Sequence, residues 1–185
     1  MATCKAMLDE HSEDGLGWAR FSEDRRLRYR LRRQIDSNTS AWASRAVFVM
    51  LNPSTADAFK LDPTVLKCRK FTRLWGMNML EVVNLFALRS PYPKDLDLAH
   101  ARGEDIGMDA AANLEIVEAC KGASIVVAAW GNNGVRHGRD KSVRDLLWNH
   151  SIVLRCLGTT NDGHPLHPLA RGKSWIEMTR EPVLL

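Results

Sequence analysis

Four short, mostly apolar runs with helical stretches between them constrain the fold more than any other feature of this 185-residue chain. The runs are 46–51, 80–83, 124–129 and 152–157. Continuous apolar runs of this length are typical of strands in a parallel sheet that helices cover on both faces. The alternation of strands and helices predicts an α/β fold with right-handed crossovers. Between the runs, Asp62-Pro63 predicts the start of one helix, and an apolar stripe predicts another from about residue 103 to 121. We therefore expect a three-layer α/β/α core around a central, mostly parallel, four-stranded sheet.

A different pattern precedes this core. Leu27, Tyr29 and Leu31 alternate with arginines, and such period-two alternation indicates a half-buried strand. Together with the segment before it, the pattern predicts a β-hairpin over 16–36 whose open face presents a row of nucleic-acid-binding arginines: Arg26, Arg28, Arg30 and Arg32. Residues 1–15 are polar and acidic, and we expect a flexible terminus there. One domain should cover 16–185, with its core at 45–170.

Composition excludes several classes of protein. No run approaches the roughly 20 apolar residues that span a bilayer, and the N-terminus lacks a signal-peptide pattern, so we expect a cytoplasmic protein without membrane contacts. A net charge of +4 permits contact with nucleic acid without requiring it. The four cysteines form no CxxC pair, which favours buried free thiols over disulfides or a metal cluster. We expect no metal and no cofactor, and the oligomeric state stays open.

Polar clusters follow each predicted core strand, and ligands bind outside the carboxyl ends of strands in such sheets. In the first cluster, Asn52 is a candidate for positioning a water or a substrate oxygen, and Asp57 is its candidate base. Three neighbours are candidates for substrate contact: Pro53, Ser54 and Thr55. The alternative is a turn whose hydroxyls cap backbone groups.

The second cluster follows the strand at 80–83. The amide of Asn84 has a donor and an acceptor side by side, which suits reading the edge of a nucleobase. Phe86 is close enough in sequence to stack on such a base. A hydrogen-bonded amide at a strand end and a core phenylalanine are the alternatives.

The third cluster begins with Trp130, Gly131 and Asn132, where glycine lets the backbone approach a ligand or turn tightly. Farther along, Arg136 and Arg139 belong to a basic stretch that suits phosphate binding, although a solvated charged helix has the same composition. In the fourth cluster, His164 and His167 lie three residues apart between prolines. A histidine can donate to a developing anion or transfer a proton at neutral pH; loop histidines without a function are the alternative.

These clusters, in this order, resemble the bacterial and phage family of unknown function DUF1643. The stretches that carry the resemblance are 49–57, 82–86, 129–131 and 163–169. The chain also has a more distant resemblance to the uracil-DNA glycosylase superfamily, which has a three-layer α/β/α fold. Asn52-Pro53, Val82-Val83-Asn84-Leu85, Ala129-Trp130-Gly131 and His164-Pro165 are similar to its successive motifs.

The glycosylase resemblance implies a function for each cluster. Asn52 would position the attacking water, Asn84 would hold the base edge, and His164 or His167 would stabilise charge on the departing base. The histidine loop has one extra residue relative to the superfamily pattern, so the resemblance does not choose between the two histidines. We expect a hydrolase that cleaves an N-glycosidic bond in DNA or in a nucleotide. The alternatives are a non-catalytic nucleic-acid-binding protein and a small-ligand or nucleotide sensor.

Overall fold

The computed structural model describes residues 6–35 and 44–185, and the strands of this part of the chain form one mixed eight-stranded sheet. In spatial order the strands are β1-β2-β3-β5-β4-β6-β7-β8. Their bounds are β1 Met7–His11, β2 Gly17–Ser22, β3 Arg28–Gln34, β4 Arg45–Met50, β5 Met79–Asn84, β6 Ile125–Ala128, β7 Leu154–Cys156 and β8 Val183–Leu184.

The prediction of a central, mostly parallel, four-stranded sheet is wrong. The four predicted strands are present as β4, β5, β6 and β7, and they pair in parallel. However, β3 adds to β5 in antiparallel orientation and continues the sheet through β2 and β1, and β8 adds antiparallel to β7. The described sheet therefore contains four antiparallel strand pairs and three parallel ones. The added strands satisfy the backbone groups that a four-stranded core would leave unpaired at its edges.

The N-terminal strands differ from the prediction in a second way. The hairpin forms as β2 and β3, but it is part of the main sheet rather than an appendage. Met7–His11, predicted to be part of a flexible terminus, forms β1. Residue 36, the last of the predicted hairpin, lies outside the described residues.

Helices α1 (Pro63–Leu74), α2 (Lys94–Ala101), α3 (Ala110–Cys120) and α4 (Arg139–Asn149) cover the sheet. Helix α1 begins as predicted, because Asp62 caps it by accepting a hydrogen bond from the Val65 amide at 2.9 Å. A helix was predicted from residue 103, but α3 begins only at Ala110. Gly107 explains the delay: it has a φ of +72° and packs against Ala87, where a Cβ would clash. None of the described helices combines the length and the apolarity needed to cross a membrane.

The sheet separates two apolar layers. Helix α1 packs on one face with Phe48, Val82 and Leu157, whereas α2, α3 and α4 pack on the other face with Val47, Val49 and Val83. The prediction of buried thiols is confirmed for three cysteines, which are free and buried: Cys68, Cys120 and Cys156. Cys4 lies outside the described residues.

A β-bulge in strand β3 decides where the arginines point. Arg30 pairs with Arg20 of β2, and Arg28 pairs with Phe21, so Tyr29 is the extra residue between two consecutive pairs. A bulge of this kind interrupts the alternation of side chains. Arg28 consequently lies on the α1 face, together with its pair partner Phe21, whereas Arg30 lies on the α3 face.

The arginines therefore do not form an open row. Arg30 is buried beneath α3, where it contacts Glu81 at 2.6 Å and Glu115 at 3.5 Å. The fully buried Glu81 also contacts Arg32 at 3.3 Å and Arg45 at 3.4 Å. The alternating arginines were predicted to face solvent, but half of this set is internal, and Arg30 belongs to a buried ion network that fastens α3 to the sheet.

Candidate functional site

A cavity of about 580 Å³ opens at the carboxyl end of strands β4 and β6, which is a common size for a small-molecule site. Six of the residues predicted from the strand-end clusters line it: Asn52, Ser54, Trp130, Gly131, Asn132 and His167. Arg28 reaches the same cavity from the hairpin. The strand-end pattern thus brings together residues from three of the four predicted clusters.

Asn52 connects β4 to the loop that follows β5. Its Nδ2 donates to three backbone carbonyls, at 2.8 Å to Ser90, 3.1 Å to Pro53 and 3.3 Å to Leu88. These carbonyls require the nitrogen, so the amide can have only one orientation. Oδ1 has no donor within the described ranges, and it is left as a hydrogen-bond acceptor.

Asn84 lies behind the wall of the cavity rather than in its lining. The side chain is buried, and its Oδ1 accepts a hydrogen bond from Nη2 of Arg28 at 3.3 Å. Nδ2 has no partner among the residues described. The geometry therefore makes Asn84 a support for Arg28, and its predicted part in reading a base edge stays a prediction.

Arg28 is the least expected member of the site. It is 1 % exposed, donates from Nη1 to the Ala56 carbonyl at 2.9 Å, and has an Nε without an acceptor among the described atoms. In 6–35 and 44–185 it forms no ion pair with a carboxylate. Burial lowers the pKa of this guanidinium to about 10, and the charge of Asp62 partly offsets the effect. The group remains charged at neutral pH.

The third and fourth clusters meet at one backbone contact. Gly131 donates its N–H to the Pro165 carbonyl at 2.9 Å, with a φ of +68° and a ψ of −170° that only glycine adopts readily. This contact places the histidine loop against the end of β6. Next to it, the exposed Asn132 donates to Asp162 at 3.1 Å.

The structure distinguishes the two histidines. His167 lines the cavity, and its Nδ1 accepts a hydrogen bond from the Leu169 N–H at 3.2 Å, so in the neutral ring the hydrogen is on Nε2. Burial lowers the pKa of His167, which keeps the ring neutral at physiological pH. His164 is not among the cavity residues, and its backbone pairs with Thr160.

Several predicted site residues lie elsewhere. The carboxylate of Asp57 accepts hydrogen bonds from the Phe59 and Lys60 amides at 2.9 and 2.8 Å, which is a turn rather than a cavity contact. Phe86 is fully buried in the core, edge-on to His137. Pro53 is buried, and its carbonyl accepts a hydrogen bond from the Ser90 amide in the loop that follows β5. Their predicted functions are untested.

The basic residues after β6, Arg136 and Arg139, also do not line the cavity. Arg136 pairs with Asp97 and donates to Asn133 at 3.2 Å. Arg139 is buried and donates to the Leu85 carbonyl at 2.7 Å, and burial lowers the pKa of Arg139 to about 10. Their guanidinium groups are engaged within the protein, and the prediction that they bind phosphates stays untested.

Beside the cavity runs a shallower groove that shares Ser54, Ser90 and Pro91 with it. Thr55 lines this groove together with four arginines: Arg25, Arg26, Arg89 and Arg102. Arg26 and Arg102 both pair with Glu104. Arg89 pairs with no carboxylate among the described side chains and contacts the Phe21 ring at 5.1 Å.

Sequence reasoning missed Asp62 as a site residue. It caps α1, and it is the one carboxylate that lines the cavity in the part of the chain described here. The cap was predicted from the Asp-Pro pair, but the pattern carried no sign that the helix begins at the cavity. Within 6–35 and 44–185, no group of three or more histidine, cysteine, aspartate or glutamate side chains is arranged to hold a metal ion.

Comparison with known proteins identifies the family and leaves the activity open. No curated protein and no solved structure matches the chain, so the resemblance to glycosylases remains a hypothesis. The family described as "Protein of unknown function (DUF1643)" matches residues 28–169. This match begins at Arg28, ends just past the histidine loop, and includes every cavity residue that was predicted from the strand ends. Since it covers well over half of the chain, the protein belongs to the DUF1643 family.

Proposed function

We propose that the cavity binds a nucleobase or nucleotide and that the protein hydrolyses its N-glycosidic bond. The observation that carries the proposal is the pairing of an acceptor and a donor at one cavity. Asn52 offers Oδ1, and the neutral His167 offers Nε2–H from a different loop. Hydrolysis of this bond needs both kinds of group, one for the attacking water and one for the departing base.

Asn52 and Asp62 supply the water side of the reaction. Both line the cavity, and both carry an oxygen that can accept a hydrogen bond from a water molecule. Oxygen of that water forms a bond to the sugar carbon while the carbon–nitrogen bond breaks, and a proton of the water passes to the carboxylate. Asp62 replaces Asp57 in this part of the mechanism, because Asp62 lines the cavity and Asp57 does not.

His167 supplies the leaving-group side. The base departs with the electron pair of the broken bond, and a hydrogen-bond donor aimed at it lowers the barrier. A neutral imidazole provides such a donor without adding a buried charge. The order of motifs along the chain supports the same assignment, because it is similar to the order in the uracil-DNA glycosylase superfamily. The mixed eight-stranded sheet departs from that superfamily, so the proposal depends on the cavity and not on the fold.

Base release is the direct test. Purified protein is incubated with DNA containing uracil, hypoxanthine or hydroxymethylated bases and with the matching nucleotides, and free base is measured by chromatography. His167→Gln and Asp62→Asn should abolish release. His164→Gln and Asp57→Asn are the matched controls, and they should retain it, because these residues do not line the cavity. Absence of release from every substrate, or equal loss in the controls, would refute the proposal.

A second candidate function is supported by the groove beside the cavity. Its four arginines favour a protein that binds a nucleic-acid strand without cleaving it. Binding of this kind weakens steeply with salt and would survive His167→Gln unchanged. A fluorescence titration with a labelled single strand at two salt concentrations distinguishes this function from catalysis.

A further inference from the structure

We propose that Arg28 forms a phosphate subsite inside the cavity, so that the ligand is a nucleotide or a nucleotide unit of a strand rather than a nucleoside or free base. The inference rests on the proposed function in taking the same cavity as the ligand site. It adds the chemical class of the ligand, which neither the strand-end motifs nor the family match assigns.

The first argument is the uncompensated charge. A buried guanidinium is normally paired with a carboxylate, because an isolated buried charge is costly. Arg30, two residues away, follows this rule through its contacts with Glu81 and Glu115. Arg28 has only a carbonyl and an amide oxygen as hydrogen-bond partners, and its Nε has no acceptor within the described part of the chain. Asp62 acts on its charge without forming an ion pair. A ligand anion would supply the missing counter-charge.

The second argument is the β-bulge at Tyr29, which directs Arg28 to the cavity. Without the bulge at Tyr29, regular alternation would direct Arg28 to the α3 face, alongside Arg30 and its carboxylates. The bulge directs it to the cavity instead. Bulges often re-aim a side chain next to an active site.

The third argument is the character of the surrounding wall. Ser54 and Thr64 line the cavity with hydroxyl groups, and Thr64 lies in the first turn of the twelve-residue helix α1. Hydroxyl donors and the positive end of a helix both favour a phosphate. The carboxylate of Asp62 repels an anion, so the phosphate should lie nearer to Arg28 and Ser54.

The charge of the groove indicates where a strand would continue. The groove shares Ser54 and Ser90 with the cavity and holds Arg89, which has no carboxylate partner among the described residues. A phosphate bound at Arg28 has two sources, a free nucleotide or a nucleotide within a strand. Only the strand would place its next phosphates along the groove, at Arg89.

The test measures binding by calorimetry and by the shift in unfolding temperature. The probes are inorganic phosphate, deoxyuridine and deoxyinosine 5′-monophosphates, the two nucleosides, and a short single-stranded oligonucleotide. Wild-type protein should bind the monophosphates and the phosphate ion more tightly than the nucleosides. Arg28→Met should weaken monophosphate binding roughly 10- to 100-fold, as expected for the loss of a hydrogen bond to a charged group.

Two further variants keep the test decisive. Arg33→Met is the matched control: Arg33 is also buried in β3, it donates to the Asp57 carbonyl at 3.4 Å, and it does not line the cavity. It should bind phosphate like the wild type. Asn84→Asp places a carboxylate beside Arg28 and should abolish the phosphate response while the protein stays folded, even if Arg28→Met does not fold.

The outcomes separate this inference from the proposed reaction. Equal binding of nucleosides and nucleotides, or an Arg28→Met or Asn84→Asp variant that binds phosphate like the wild type, would overturn the subsite even if base release is observed. Phosphate binding that depends on Arg28 in a protein that releases no base would support the subsite and refute the reaction. Weaker oligonucleotide binding in Arg89→Met, with unchanged mononucleotide binding, would support the subsite and identify a strand as the phosphate source.

Discussion

Replacing Asn52 with alanine should destabilise the protein as well as remove a group that contacts the attacking water. Nδ2 holds three backbone carbonyls, the shortest contact being 2.8 Å to Ser90 and the longer two 3.1 and 3.3 Å. A hydrogen bond contributes about 1 kcal/mol net, and an acceptor left buried without a donor costs about 1–3 kcal/mol. Because one nitrogen with two hydrogens serves all three carbonyls, we expect a loss of about 2 kcal/mol rather than the sum of three full bonds.

Urea denaturation followed by circular dichroism measures this loss. Asn52→Asp is the sharper variant: it keeps the size and one oxygen but replaces the donor with a second acceptor that faces three carbonyls, so it should destabilise more than alanine does. Asn132→Ala is the control, since that amide is exposed and, among the described residues, its side chain hydrogen-bonds to Asp162 alone. If the free energy of unfolding of Asn52→Ala stays within about 0.5 kcal/mol of the wild-type value, the range of ordinary surface substitutions, the inference that Asn52 stabilises the fold through these three hydrogen bonds is refuted.

Three other substitutions test the site and its support. Glu81→Leu should cost about 3–5 kcal/mol in urea denaturation, because it leaves the buried Arg30 without its nearest counter-charge; the exposed Glu118→Gln should leave the midpoint unchanged. Gly131→Ala should cost about 1–3 kcal/mol, because alanine is strained at the positive φ of this residue. A clash would add nothing, since the new Cβ would lie at an ordinary 3.6 Å from His167 Cβ. An unchanged free energy of unfolding would contradict the strained conformation. Because burial lowers the pKa of His167, the folded state binds fewer protons than the unfolded state. The free energy of unfolding therefore keeps its full value above pH 6.5 and decreases as the pH falls below 6.5. His167→Gln should flatten the dependence of the urea midpoint on pH in that range.

Local pattern predicted the central strands, the hairpin of β2 and β3 and the start of α1, and it missed strand β1 and the joining of these strands into one mixed sheet. The apolar runs are continuous because these strands are covered on both faces. Strand β1, in contrast, reads Met-Leu-Asp-Glu-His and is mostly exposed, so its composition resembles that of a frayed terminus. What holds it is pairing with β2 and the ion pair between Asp9 and Arg20. These contacts join two neighbouring strands across a hairpin, and the periodicity within one strand does not record them.

The site shows the same division. The rule that ligands bind at the carboxyl ends of strands correctly brought Asn52, Trp130 and His167 to one cavity. It did not distinguish an aspartate that closes a turn, Asp57, from one that faces the cavity, Asp62. Both belong to short polar segments, and only the path of the backbone separates them.

Arg28 and Arg30, two of the buried arginines of β3, show how much one extra residue changes the surroundings of a side chain. A guanidinium removed from water needs a counter-charge, and the α3 face provides Glu81 and Glu115 for Arg30. On the cavity face, the atoms next to Arg28 belong to an asparagine and a carbonyl, which hydrogen-bond the charge without neutralising it. A carboxylate at residue 84 would neutralise Arg28 within the protein and leave nothing for a ligand to compensate. The amide keeps the guanidinium oriented and leaves its charge without an ion-pair partner, so in the proposed subsite the buried charge of Arg28 would add to the binding energy of an anionic ligand.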